Sequence, residues 1–223
     1  MRFPPRTPKL ISVCTGLFSL WFTAVSSMAE VVLVLPADLS APRRELIGKS
    51  LAFLKEHPAV PSVDGGADEK GMDCSGAIVR LLKLVKIEPP RSALGQYDWL
   101  RESGGLTLVP ATARTPDDPV FRNLLPGDLV FWAHDQPGEP FRVSHVQVYL
   151  GKEADGHAVM IGSSDGRSYR GKKFSGFGIV DYHVPKVGST TRIVGFGPPF
   201  AAVAASSPDP GKVPPTAPSP VKP

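Results

Sequence analysis

Apolar positions fall at helical spacing in the first half of this chain and at strand spacing in the second. In SAPRRELIGKSLAFLKEH (40–57), Leu46, Ile47, Leu51 and Leu54 share one helical stripe, with Ser40 as the cap and Pro42 in the first turn. In CSGAIVRLLKLVKI (74–87) a second stripe runs through Ala77, Ile78, Leu81, Leu82 and Val85, and Pro89 and Pro90 stop it. Between them PAVPSVDGGADEKG is a loop dense in Pro and Gly. From residue 91 to about 125 the pattern weakens, leaving one short helix over ALGQYDWLRE. Strands then follow quickly as GDLVFWA, VSHVQVYLG, HAVMIGSS, FGIVDYH and TTRIVGFG, each β-branched or aromatic-rich and bounded by turn residues. Helices first and clustered strands afterwards predict an α+β fold, an antiparallel sheet packed against N-terminal helices.

The two ends break the pattern. Arg2, Arg6 and Lys9 precede the apolar run LISVCTGLFSLWFTAV, and Ser27 and Ala29 stand two apart as a cleavage site requires. Residues 1–29 therefore read as a signal peptide, or as an anchor if uncleaved, and the rest of the chain is exported to the periplasm or the exterior. Residues 30–200 form the expected domain, and 201–223 a Pro-rich disordered tail. A hydrophobic fraction of 42% supports a proper core. The net charge of +4, without a basic stripe interleaved with aromatics, gives no reason to expect nucleic acid as a partner.

Cysteine count sharpens the picture. Of two cysteines, Cys14 lies in the signal segment, so the mature chain holds one thiol, Cys74, with no partner for a disulfide inside the chain. Asp73 is a good helix cap and places Cys74 in the first turn, where free N–H groups and the helix dipole favour a thiolate and lower its pKa. Ser75 and Gly76 are small and leave the sulfur approachable. A buried apolar thiol is the alternative reading of the same position. Among five histidines, His145 in RVSHVQVYLG suits the base. Its alternation with Val143 and Gln147 leaves open whether it faces the core or the helix. No ligand spacing such as H-x-x-x-H is present, so neither a metal nor another cofactor is expected.

The blocks MDCSGAIVRLL, LLPGDLVFWAH and SHVQVYLG, in this order, resemble the NlpC/P60 family of cell-wall cysteine peptidases over roughly residues 45–185. The resemblance implies a papain-like fold with the nucleophile at a helix N-terminus. It also implies cleavage of peptidoglycan stem peptides, often next to γ-D-glutamyl or diaminopimelate residues, with Cys74 as nucleophile and His145 as base. The family's third polar residue would fall at Gly162. His157 stands twelve positions after His145, a family spacing, and is the expected third catalytic residue, with Ser163 and His183 as other candidates. The family's P-Y-x-W-G-G loop is PSVDGG here, with Ser62 for the Tyr and Asp64 for the Trp. Asp73, which the family places near the substrate's free amine, together with Ser75, Ser62 and Asp64, is expected around the substrate. The backbone N–H of Cys74 is expected in the oxyanion hole.

The sequence thus points to an exported, monomeric thiol endopeptidase whose partner is the peptidoglycan stem peptide, with the membrane involved only if the signal segment stays uncleaved. Two other readings remain: a weakly active or inactive cell-wall-binding domain of the same fold, and an amidase or acyltransferase variant.

Overall fold

The structure, a computed structural model, describes residues 31–134 and 141–206. The expected signal segment and the tail from residue 207 lie outside the described residues. In chain order the elements are β1 (Leu33–Val34), α1 (Ala41–Glu56), β2 (Ala67–Asp68), β3 (Gly71–Met72), α2 (Cys74–Leu84), α3 (Ala93–Glu102) and β4 (Thr107–Leu108). A 3-10 turn at Pro119–Asn123 leads to β5 (Leu129–His134), β6 (Val143–Glu153), β7 (Ala158–Tyr169), β8 (Lys172–Asp181), β9 (Thr191–Gly197) and α4 (Pro199–Ser206). The main sheet runs β4-β9-β5-β6-β7-β8, with β1 added to β6, and its described pairings are antiparallel. This is the α+β arrangement that the sequence pattern predicts.

β5 is buried from Leu129 to Ala133, which explains its unbroken apolar sequence. Leu129, Phe131 and Ala133 join the core that β6 shares with α1 and α2, among them Val146, Val148, Leu46 and Ile78. Val130 and Trp132 belong to a second cluster with Tyr149, Met160 and Phe196, which Val109, Ala113, Phe121 and Leu124 complete. The weakly patterned stretch before residue 125 therefore contributes a layer held by tertiary contacts. Periodicity had nothing to report there.

α1 buries Leu46, Ile47, Phe53 and Leu54, while Leu51 lies at the edge of that face. Ser40 occupies the cap position, but its side chain makes no capping bond. The same helix buries Arg43, whose Nη2 meets the Asp128 carboxylate at 2.7 Å and whose Nη1 donates to the Pro126 carbonyl at 2.8 Å. LPGD is the turn that receives it. Asp128 N–H returns to the Leu125 carbonyl at 3.0 Å, and Gly127 has φ +89°, the left-handed value of a type II turn. α1 is thereby tied to the start of the central strand.

Two expected boundaries move. α2 ends at Leu84, ahead of the prolines, because Lys86 adopts φ 62° and the Ile87 N–H closes back on the Leu82 carbonyl. The domain boundary expected at residue 200 is crossed by α4, which continues to Ser206 and buries Ala202 against the core.

Asp128→Ala should leave the Arg43 guanidinium buried without its counter-charge. The expected loss is about 3–5 kcal/mol of unfolding free energy, read from denaturant titration.

Candidate active site

The MDCSG segment folds as it does because each residue after Met72 has a separate task. Asp73 caps α2: one carboxylate oxygen accepts from the Gly76 N–H at 2.6 Å and the other from the Gly65 N–H at 2.9 Å. Ser75 Oγ donates to the same carboxylate at 3.1 Å, and Arg91 grips both its oxygens at 3.0 and 2.8 Å. Burial alone would raise the Asp73 carboxyl. The bonds from Arg91 and Gly76, with the Arg91 charge, outweigh it and hold the group below the ordinary carboxylate range. Gly76 permits the close approach of the β2–β3 hairpin, since a Cβ there would stand 2.0 Å from the Gly66 carbonyl oxygen.

Cys74, left at the first position of the helix, lies against β6. Trp132 pairs with His145, but Ala133 pairs with Val143, so Ser144 is an extra residue in β6. This bulge turns the Ser144 carbonyl toward Cys74, whose Sγ donates to it at 3.9 Å. The bulge also resolves which way the histidine faces. Val143 and Val146 lie in the helix-side core, whereas the His145 ring stands beside Trp132, 5.5 Å between centroids. Cys74, His145, Trp132, Ser62, Asp64 and Arg167 are among the residues lining one open cavity of about 530 Å³. No described hydrogen bond joins Cys74 to His145, and the imidazole Nε2 is enclosed without a partner.

A family model described as the NlpC/P60 family matches residues 60–175, just over half of the chain. The chain belongs to the NlpC/P60 family. Members are generally hydrolases that act on peptidoglycan, and they are often exported or lipoproteins. Among solved structures, the chain is similar to an NlpC/P60 family protein from Bacillus cereus at 25% identity, covering 74% of this chain and 41% of that one, with a TM-score of 0.44. NlpC1 from Trichomonas vaginalis is similar at 17% identity, covering 74% of this chain and 46% of that one, with a TM-score of 0.43. A Staphylococcus aureus protein described as similar to a lipoprotein of the NLP/P60 family gives 22% identity, 67% and 38% coverage and a TM-score of 0.33. The chain spans less than half the length of these structures. No curated protein matches it. Among the described residues no helix is long and apolar enough to cross a membrane.

Within this NlpC/P60 domain several expected site residues come together and others do not. Cys74, His145, Ser62, Asp64 and Asp73 line the cavity. Ser75 does not, because its buried hydroxyl is engaged with Asp73 and accepts from Arg91 at 2.9 Å. His157 is also misplaced as a third catalytic residue. Its carbonyl accepts from Glu153 N–H at the far end of β6, on the order of 25 Å from His145 at about 3.3 Å per residue. There its Nε2 meets the Asp181 carboxylate at 2.8 Å. Ser163 Oγ is committed to the Met72 carbonyl at 2.5 Å, and His183 pairs with Arg167. At Gly162 a Cβ would meet Gln147 Cγ at 3.0 Å. The Gln147 side chain thus fills the space beside Gly162, with both amide atoms enclosed and unpaired. None of Gln147, Trp132, Arg91 and Arg167 carries a sequence signal that marks it as part of the site. Among the described residues no cluster of His, Cys, Asp and Glu is arranged as metal ligands would be.

The expected lowering of the thiol pKa is overturned. Burial is the largest influence and raises it, and the Asp73 charge adds to that. The N–H groups of Val146, Ser75 and Cys74 pull the other way without prevailing. Burial also lowers His145 to about 3, helped by the nearby charges of Arg167 and His183. Thiol and imidazole are both neutral at rest.

Alkylation of Cys74 by iodoacetamide should therefore rise with pH along a midpoint above the ordinary thiol value of about 8.5. Asp73→Asn, which removes the neighbouring negative charge, should bring that midpoint down. A second measurement follows from His145. Its folded pKa lies below its unfolded one, so the unfolded chain takes up the proton first and stability should fall as pH drops from about 6.5 toward 3. His145→Gln should flatten this slope by at most about 1.4 kcal/mol per pH unit in denaturant titrations at about pH 7 and pH 5.

Proposed function

We propose that this chain is an exported cysteine endopeptidase that hydrolyses peptide bonds in peptidoglycan stem peptides through an acyl-enzyme on Cys74. The observation that carries this reading is the shared cavity, which the helix-start residue Cys74 and His145 both line. The sulfur attacks the scissile carbonyl carbon as its proton passes to His145. The C–N bond then breaks, and the imidazolium returns that proton to the leaving amine. Water, deprotonated by His145, attacks the thioester and releases the acid and the free thiol. The Cys74 and Ser75 N–H groups beside the sulfur are suited to hold the negative oxygen of the tetrahedral intermediate. For the first proton transfer the imidazole must turn from Trp132 toward Sγ. Catalytic contacts often tighten only when substrate is bound.

One observation favours a second reading, a cell-wall-binding domain with weak or no activity: the nucleophile and base are neutral and not bonded to each other. Digestion of purified peptidoglycan, with products identified by mass, separates the two. The peptidase reading expects released stem fragments from the parent and none from Cys74→Ala or His145→Ala. Undigested peptidoglycan that still retains the parent protein in a pull-down would leave the binding reading standing.

A further inference from the structure

We propose that Arg167 is the specificity residue of this cavity and that it receives a carboxylate of the bound peptide. The proposal rests on the peptidase reading and names the group that the site selects. Arg167 lines the cavity with Cys74 and His145. Its guanidinium lies over the Trp132 ring, 5.6 Å from the centroid. Nη1 is engaged by the His183 imidazole, 3.0 Å from Nε2.

Among the described residues no carboxylate pairs with this guanidinium, although three line the same cavity. Asp73 is held by Arg91. Asp165 is exposed and accepts from Ser175 Oγ at 2.5 Å, and Asp64 is exposed in the β2-side loop. His183 offers no counter-charge, since burial and Arg167 itself lower its pKa and keep it neutral. A cation partly removed from water, without a counter-charge, is costly to hold. A carboxylate entering from the cavity relieves that cost, and its planar pair of oxygens fits the guanidinium fork.

The chain also fixes the cation before any ligand arrives. β7 bulges between Ser164 and Arg167, and the β7–β8 hairpin returns its tip to the base of the sheet. There Ser168 Oγ and the Arg170 N–H donate to Asp181 at 2.9 and 2.8 Å. Arg170 also bridges Glu153 and Asp155 at 2.8 and 2.7 Å, and Tyr169 donates to Glu153 at 2.8 Å. His157, bonded to Asp181, belongs to this latch. Arg167 sits between the bulge and the latch, so little ordering is left for the ligand to supply.

The test uses the full-length protein carrying Cys74→Ala and the peptide L-alanyl-γ-D-glutamyl-L-lysine amide, with its glutamyl carboxyl free or amidated. Calorimetry should show the free acid binding roughly 10- to 100-fold tighter than the amide, as a charge-assisted pair implies. Adding Arg167→Gln should remove that preference by weakening only the acid, and Arg167→Lys should restore part of it. Equal binding of the two peptides, binding of neither, or a Gln variant that weakens both alike overturns the proposal. Failure of the peptidase reading shows separately, as no cleavage of either peptide by the intact Cys74 protein while the binding preference persists.

Discussion

Five hydrogen bonds converge on the Asp73 carboxylate, from the backbone of Gly65 and Gly76, the Ser75 hydroxyl and two nitrogens of Arg91. This one group joins the loop before β2, the first turn of α2 and the segment leading to α3. Without it the start of α2 has free N–H groups and no fixed angle of entry. Because α2 begins where Asp73 sets it, Cys74 meets β6 at the bulge, and the cavity opens between them. The cap and the nucleophile are adjacent in sequence because the chemistry needs a residue whose place is decided by its neighbour.

The same placement sets the protonation of the site. The thiol contacts the backbone of β6 near Ser144, and the imidazole leaves that segment on the Trp132 side. Each group is removed from water before it meets the other, so each stays neutral. Ion-pair formation at rest would require the desolvation cost to be repaid by a contact that the unliganded arrangement does not make. A neutral pair suits a site in which ligand binding completes the alignment, and it protects an unpaired thiol from oxidants, which attack the thiolate.

The residues that sequence alone could read were those whose role is local. The cap at Asp73, the apolar stripe of α2 and the strand character of β5 each follow from the residues within one element. The thiol pKa did not follow, because helix-start rules count N–H groups and dipole but not the burial that dominates here. His157 failed for a related reason. Twelve positions from His145 carries the chain to the end of β6 and round its turn, whereas the ladder that pairs Val148 with Ile161 leads back toward Gly162 and Ser164. A spacing rule holds only while the hairpin keeps its length, and here twelve residues end beside Glu153 at the far end of β6. Arg167 was hidden by the β7 bulge, which no periodicity announces.

Two arginines give the site opposite electrostatic characters. Arg91 saturates Asp73, so the carboxylate that the family resemblance places near a substrate amine already holds a cation. Arg167 leaves a positive charge with no carboxylate pair among the described residues, and that charge is the second cause, after burial, of the low His145 pKa. A carboxylate seated on Arg167 would offset that repulsion, while burial, the larger cause, would still hold the imidazole below its ordinary range. Binding and base strength are then coupled through one guanidinium. A ligand that lacks the carboxylate would leave both causes of the low imidazole pKa in place.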